Sequence, residues 1–231
     1  MLADRPVLIK LLMPHFILAS SSPRRRELLA TLSIPFTIHK PDIDESQRAA
    51  EPPLDYVRRL SREKAAQVAA RLAESAMVLA ADTVVIFGAD TMGIDEQGVI
   101  LGKPAHADEA RDMLRQLRGR VHQVCTALTL LPLHETRSPL TLLTRTNVLM
   151  RDYTDAEIEA YIATGDPFDK AGSYAIQHPT FQPVARIDGC YSNVVGLPMC
   201  TLHNGLSQLG WPDIQAVPVC QCQTRYAGLL F

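Results

Sequence analysis

The chain has 231 residues, 47% hydrophobic and 21% charged, with 23 Lys+Arg against 25 Asp+Glu and a formal net charge of −2. This balance excludes a disordered chain, a collagen-like repeat and a coiled coil, and its near-zero charge offers no global field to hold a polyanion. Nucleic-acid binding is therefore not expected, and phosphate chemistry has to come from local clusters.

The length suits a single α/β domain with two lobes around a cleft. Five cysteines (Cys125, Cys190, Cys200, Cys220, Cys222) are an odd number and make no disulfide framework, which points to a reducing cytoplasm. The apolar stretch from Leu8 to Ala19 is broken by Lys10, Pro14 and His15, so it predicts no signal peptide. No run reaches the roughly 20 apolar residues of a membrane span, and no membrane association is expected. Only five of the basic residues are lysines, so each invites a question. Lys10 and Lys40 look unremarkable, whereas Lys64, Lys103 and Lys170 lie beside loops or carboxylates where a compact charge suits phosphate.

In chain order, Phe16–Ala19 predicts a buried strand, and Ser22 with Pro23 predicts the cap and first position of a helix through Ala30. Alternation from Ile34 to Ile43 predicts a strand, and Pro52-Pro53 open a helix to about Glu74. Met77–Phe87 reads as a central strand, returning through a Gly/Asp-rich loop to Val99-Ile100-Leu101 as a hairpin. A helix follows over Asp108–Leu117 with Gly119 closing it, then two β-prone runs, Val121–Leu131 and Leu140–Met150. Thr154 and Glu157 form a capping box for a helix that stops at Gly165, and the last helix starts near Pro198. Pro212 and Pro218 prevent a long element in the tail.

Three features carry chemistry. The turn Ser20-Ser21-Ser22 at a helix N-terminus, followed by Arg24, Arg25 and Arg26, offers hydroxyls, unpaired N–H groups and positive charge to an anion; the alternative is an ordinary capped helix with an arginine face. Lys64 falls inside the apolar stripe Val57, Leu60, Ala65, Val68, Leu72, so it faces the interior or a cleft, or else snorkels to water, while the neighbouring Glu63 projects away into solvent. Asp82 sits in the apolar run Val78–Ile86, where a carboxylate must be paired, hydrogen-bonded or metal-bound; it is a candidate base or ligand, with Glu45 a possible second carboxylate. Lys103 and Lys170 sit on Gly-containing turns and admit a plain solvated-loop explanation. A zinc site from Cys200, His203, Cys220 and Cys222 fits no standard spacing.

Together Leu18–Leu29, Arg62–Ala65, Ala81–Val85, Leu101–Pro104, Asp169–Gln177 and Asn193–Pro198 resemble, in order, the Maf-type nucleoside triphosphate pyrophosphatases. The resemblance covers residues 16–209, leaving 1–15 as an N-terminal extension and 210–231 as a tail. It implies an α/β fold of the Maf/ITPase-like kind, an elongated mixed sheet flanked by helices with two lobes around a central cleft, often dimeric. It also implies hydrolysis of a nucleoside triphosphate to the monophosphate and pyrophosphate, with a divalent metal such as Mg²⁺ or Mn²⁺ as cofactor.

In that reading Asp82 activates the attacking water or holds the metal with Glu45. Lys64, Lys103, Arg25 and the Ser20 turn hold the triphosphate, joined by Lys170. Arg24, Thr83 and Gln177 match the dTTP/UTP branch, against Trp, Gln and Glu in the 7-methyl-GTP branch. Cytoplasmic house-cleaning of nucleotides and restraint of cell division are the implied roles. The run His178–Pro183 and the sequence Gly189-Cys190-Tyr191 depart from the family pattern. A nucleotide-binding regulator with little turnover, or a purine or methylated substrate, are the competing expectations.

Overall fold

The computed structural model describes residues 15–88, 98–133, 137–211 and 226–227. In chain order the elements are β1 (His15–Leu18), α1 (Pro23–Ala30), β2 (Phe36–Ile38), α2 (Pro53–Ala69), β3 (Ala76–Phe87), β4 (Val99–Leu101), α3 (Ala107–Leu117), β5 (Val121–Leu133) and β6 (Leu140–Met150). They continue with α4 (Asp155–Ile162), two 3-10 turns (Asp166–Asp169 and Ala171–Ser173), β7 (Val184–Asp188), α5 (Tyr191–Val195), α6 (Met199–Gln208) and β8 (Tyr226–Ala227). The strands form one mixed sheet in the order β2-β1-β3-β5-β6-β7-β8, with β4 beside β3 off that path.

Local chemistry builds most of these elements as expected. Ser22 caps α1 by accepting the Arg25 N–H, with Pro23 in the first turn. Thr154 and Glu157 satisfy each other's backbone N–H groups at the start of α4. β2 is shorter than its alternation suggests. Only Phe36–Ile38 pair with the short β1, after which the chain leaves the sheet edge. α2 ends at Ala69 rather than near Glu74, because the chain turns through Arg71 and Leu72 to enter β3 at Ala76. Two elements have no strong local signal, β7 and the five-residue α5.

β3 is the spine. One of its edges pairs with β5 from Ala76 to Ile86. The other pairs in parallel with β1 from Ala76 to Leu79 and antiparallel with β4 from Val85 to Phe87. Between Leu79 and Val85, that edge has no strand partner among the described residues, so the sheet opens a slot in its middle. Ligands in open α/β sheets bind at such changes of strand neighbour.

The core divides accordingly into two lobes. One cluster packs α3 and α4 against the neighbouring ends of β5 and β6 and includes Tyr153, Tyr161, Tyr174 and Phe181. The others pack α1, α2 and α6 on the two faces of β1 and β3. The departing run at 178–183 closes without glycine. His178 Nδ1 accepts the Phe181 N–H at 3.0 Å, and Phe181 stacks on Tyr161 with ring centroids 4.4 Å apart. Arg151 then donates to the Phe181 and Gln182 carbonyls. At the far end Trp211 meets Phe16 edge-on at 5.4 Å, so the first part of the tail belongs to the core.

Candidate active site

Strand alternation sends consecutive residues of β3 to opposite faces. Val78, Ala80, Val84 and Ile86 pack with residues of α2, so Asp82 shares the α2 face. Lys64 meets it there from the buried stripe of α2. Its ammonium donates to Asp82 Oδ1 at 2.5 Å and pairs with Glu45 Oε1 at 2.9 Å. Lys64 and Asp82 are 6% and 7% exposed, so the lysine points inward and does not snorkel to water. Glu63 is not idle in solvent as its position suggests, since it takes hydrogen bonds from Arg48 and Arg59.

Burial pushes the Asp82 carboxyl above the ordinary carboxylate value, Lys64 and Arg25 pull it back, and Glu45 adds to the rise. A raised carboxylate is suited to accepting a proton near neutral pH. Among the described residues no group of three or more His, Cys, Asp or Glu side chains is placed to hold a metal ion unaided. Cys220 and Cys222 of the zinc alternative lie outside the described residues. The pair Asp82 and Glu45 fits a hard cation that takes one or two carboxylates and completes its shell with phosphate oxygens.

On the opposite face Thr83 meets α1. Arg25 donates from Nε to the Gly196 carbonyl at 2.9 Å, from one terminal nitrogen to Thr83 Oγ1 at 3.1 Å and from the other to Ser20 Oγ at 3.4 Å. Thr83 in turn shares a hydrogen bond with Thr126 at 2.9 Å. Burial lowers the Arg25 pKa, and Asp82 opposes that shift. Arg25 thus arrives at the site already tied to three protein oxygens, as a fixed part of its floor.

The far wall comes from two turns joined by one backbone bond, Gly172 N–H to Gly102 carbonyl at 3.0 Å. Gly172 has φ +70°, and a Cβ there would lie 3.1 Å from Val85, so this junction requires glycine. It brings exposed Lys103 and buried Lys170 onto the same cavity wall. The Lys170 ammonium spends its three donors on the Asp166 carbonyl, Asp166 Oδ1 and Asp169 Oδ1, at 2.6, 2.8 and 2.6 Å. In this arrangement it holds the loop while still lining the cavity. Arg24 reaches Asp169 at 3.6 Å across the mouth, and Gln177 is exposed at the rim.

These surfaces enclose a cavity of about 560 Å³, within the ordinary range for small-molecule sites. Its lining includes all ten residues singled out from the sequence: Ser20, Arg24, Arg25, Glu45, Lys64, Asp82, Thr83, Lys103, Lys170 and Gln177. Lys40, Tyr56 and Tyr174 line it too and were not singled out. Every lysine among the described residues is on this wall, so the scarcity of lysine was the signal that would have found Lys40.

Behind Tyr174, His122 Nε2 meets the phenol oxygen at 2.7 Å, while the buried Nδ1 has no partner. Burial pushes His122 down to about 3. Unfolded, it titrates near 6.5, so the stability it contributes is complete above that value and is lost as pH falls toward 3. Urea unfolding at pH 7 and pH 5 is expected to show about 2 kcal/mol of acid destabilisation from this group, absent in His122→Asn.

A Maf-like protein family model matches residues 15–209. The chain belongs to the Maf family. The Maf match runs from β1 through α6 and takes in every lining residue named above. Among relatives of this Maf chain, the dTTP/UTP pyrophosphatase of Thermomicrobium roseum is 48% identical over 212 residues, covering 89% of this chain and 91% of that protein. The dTTP/UTP pyrophosphatase of Myxococcus xanthus is 47% identical, covering 85% of this chain and 93% of that protein. That of Pseudoalteromonas atlantica is 45% identical, covering 84% and 96%. No helix among the described residues of this Maf chain is long and apolar enough to cross a membrane.

Proposed function

We propose that this chain hydrolyses dTTP and UTP to the nucleoside monophosphate and pyrophosphate. The observation that carries the proposal is the Asp82–Lys64–Glu45 cluster, held at one side of a cavity whose other walls are basic. The names of the relatives supply the substrates.

In this reading Lys103, Lys40, Arg24 and the Ser20 turn neutralise the triphosphate, and Arg25 holds the floor on which it rests. Asp82 takes a proton from a water as its oxygen bonds to the α-phosphorus, and the bond from that phosphorus to the bridging oxygen breaks to release pyrophosphate. Lys64 keeps the ionised carboxylates in place and limits their repulsion toward the incoming phosphates. Asp82 and Glu45 would hold a divalent cation such as Mg²⁺ or Mn²⁺, which would supply charge neutralisation on the phosphate oxygens. Arg24 and Gln177 meet the substrate directly, whereas Thr83 acts through the position it gives Arg25. Cytoplasmic house-cleaning of nucleotides is the role that fits this chemistry.

The test is pyrophosphate release from dTTP, UTP, CTP, GTP, 7-methyl-GTP and ITP with Mg²⁺ or Mn²⁺, using Asp82→Asn as the blank. A preference for dTTP and UTP is expected. Activity confined to purines would sink the substrate assignment, and no release from any triphosphate would overturn the hydrolase reading.

A further inference from the structure

Glu45 reaches Lys64 from a segment with no apolar anchor. From residue 39 to residue 51 no side chain is buried and no regular element forms. Burial elsewhere fixes a loop against its support, and here polar contacts replace it. Most of those that tie it to the rest of the protein come from α2.

The Tyr56 hydroxyl donates to the Glu45 backbone carbonyl at 2.7 Å. Arg59 donates to the Ser46 carbonyl at 3.0 Å and grips both oxygens of Glu51 at 2.6 and 2.8 Å. Glu63 accepts from Arg59 at 3.1 Å and from Arg48 at 3.0 Å. Gln67 accepts the Asp42 N–H at 2.7 Å and donates to the Asp42 carbonyl. Arg59 also lies over the Tyr56 ring, 5.5 Å from its centroid.

Positions 56, 59, 63 and 67 follow the three- and four-residue spacing of a single helix face. That face borders the apolar stripe that contains Lys64. Tyr56, Arg59 and Glu63 meet Glu45, Ser46 and Arg48 in turn, and Gln67 ties down Asp42 at the start of the segment. One helix therefore presents Lys64 from one stripe and sets its partner carboxylate from the next.

We infer that Tyr56, Arg59, Glu63 and Gln67 are positioning residues that template the Glu45 segment onto α2, with the Arg59–Glu51 clasp at the centre. Glu45 itself is 54% exposed and has Lys64 as its ion-pair partner, so without the template its carboxylate ranges over solvent. The inference rests on Glu45 acting in the proposed hydrolysis.

The experiment is a double-mutant cycle on the full chain with Arg59→Met, Glu45→Gln and both together, plus Tyr56→Phe, which removes one hydroxyl and leaves the ring. Turnover of dTTP and its dependence on Mg²⁺ concentration are read beside amide hydrogen exchange. Arg59→Met is expected to lower kcat about tenfold with little change in KM, yet to cost less than twofold when Glu45 is already Gln. Tyr56→Phe should move kcat the same way by less. The amides of Asp42, Ser46 and Arg48 should exchange faster in both variants while those of α2 keep their protection.

An additive cycle, or unchanged kcat in Arg59→Met where Glu45→Gln loses activity, overturns the positioning inference alone. If Arg59→Met also loosens α2, Tyr56→Phe decides by the same criteria. Wild-type turnover in Glu45→Gln instead removes the catalytic role of Glu45 and the inference with it. Absence of hydrolysis in the parent chain overturns the proposed function, and unchanged exchange at Asp42, Ser46 and Arg48 would still count against the template.

Discussion

Asp82→Asn is expected to lower kcat for pyrophosphate release by about 10³-fold while dTTP binding persists. The substitution keeps the size of the side chain and leaves an amide oxygen for Lys64, but removes the only buried carboxylate on β3. The elements proposed to meet the triphosphate, Arg24 on α1, Lys103 and the turn at Ser20, lie outside β3 and are untouched. With a negative charge gone from a cavity that receives a polyanion, affinity should hold or rise. Calorimetric titration with dTTP beside single-turnover kinetics checks both halves. A variant within tenfold of the parent rate would show that the proton goes elsewhere.

Lys64→Met should have the second largest effect, and a distinctive pH dependence. Methionine fits the apolar stripe between Leu60 and Val68, but the cation between Asp82 and Glu45 disappears. Removing one member of a buried pair costs about 3 kcal/mol at neutral pH. The Asp82 carboxyl, already raised by burial, loses the largest influence that lowers it. Its folded pKa therefore moves further above its unfolded value, and the folded state gains proton affinity. By linkage the deficit of the variant relative to the parent is smallest at low pH and grows as pH rises through the folded Asp82 pKa.

The acid limb of kcat should shift upward together with it, because the base must be ionised to act. His122 contributes equally to both chains and cancels from their difference. Melting curves and pH–rate profiles from pH 5 to 9 check the pair of shifts. A variant with the parent's acid limb and melting temperature would break the link between Lys64 and Asp82.

Several site components were legible in the sequence because their signals are local. A lysine at the wrong place in an amphipathic stripe and an aspartate in the middle of an apolar strand are both misfits against a simple periodicity. The Ser22 cap and the Thr154 capping box need only neighbours three residues away. The order of strands and helices followed for the same reason, with boundary errors at β2 and α2 where a long-range partner ends the element.

What remained hidden depends on contacts between residues far apart in sequence. Arg25 reads as a free arginine at a helix start, and only the approach of Gly196, 171 residues away, and of Thr83 reveals that three of its five donors are held by protein oxygens. Lys170 reads as an open ammonium until Asp166 and Asp169 fold back onto it. Glu63 looks solvated because the sequence does not show that the 40–51 segment returns along α2.

The sequence by itself determined the family, the α/β class and the ten residues around the cavity, since composition, period and motif order are properties of the chain alone. The tertiary structure alone decided how those residues meet. β3 exchanges β1 for β4 on one edge, which opens the slot where Asp82 and Thr83, on opposite faces of the strand, line one cavity. The partner each charge then finds across that slot sets whether it binds, reacts or merely holds the loop, because a buried charge is stable only where opposite charge or a hydrogen bond meets it.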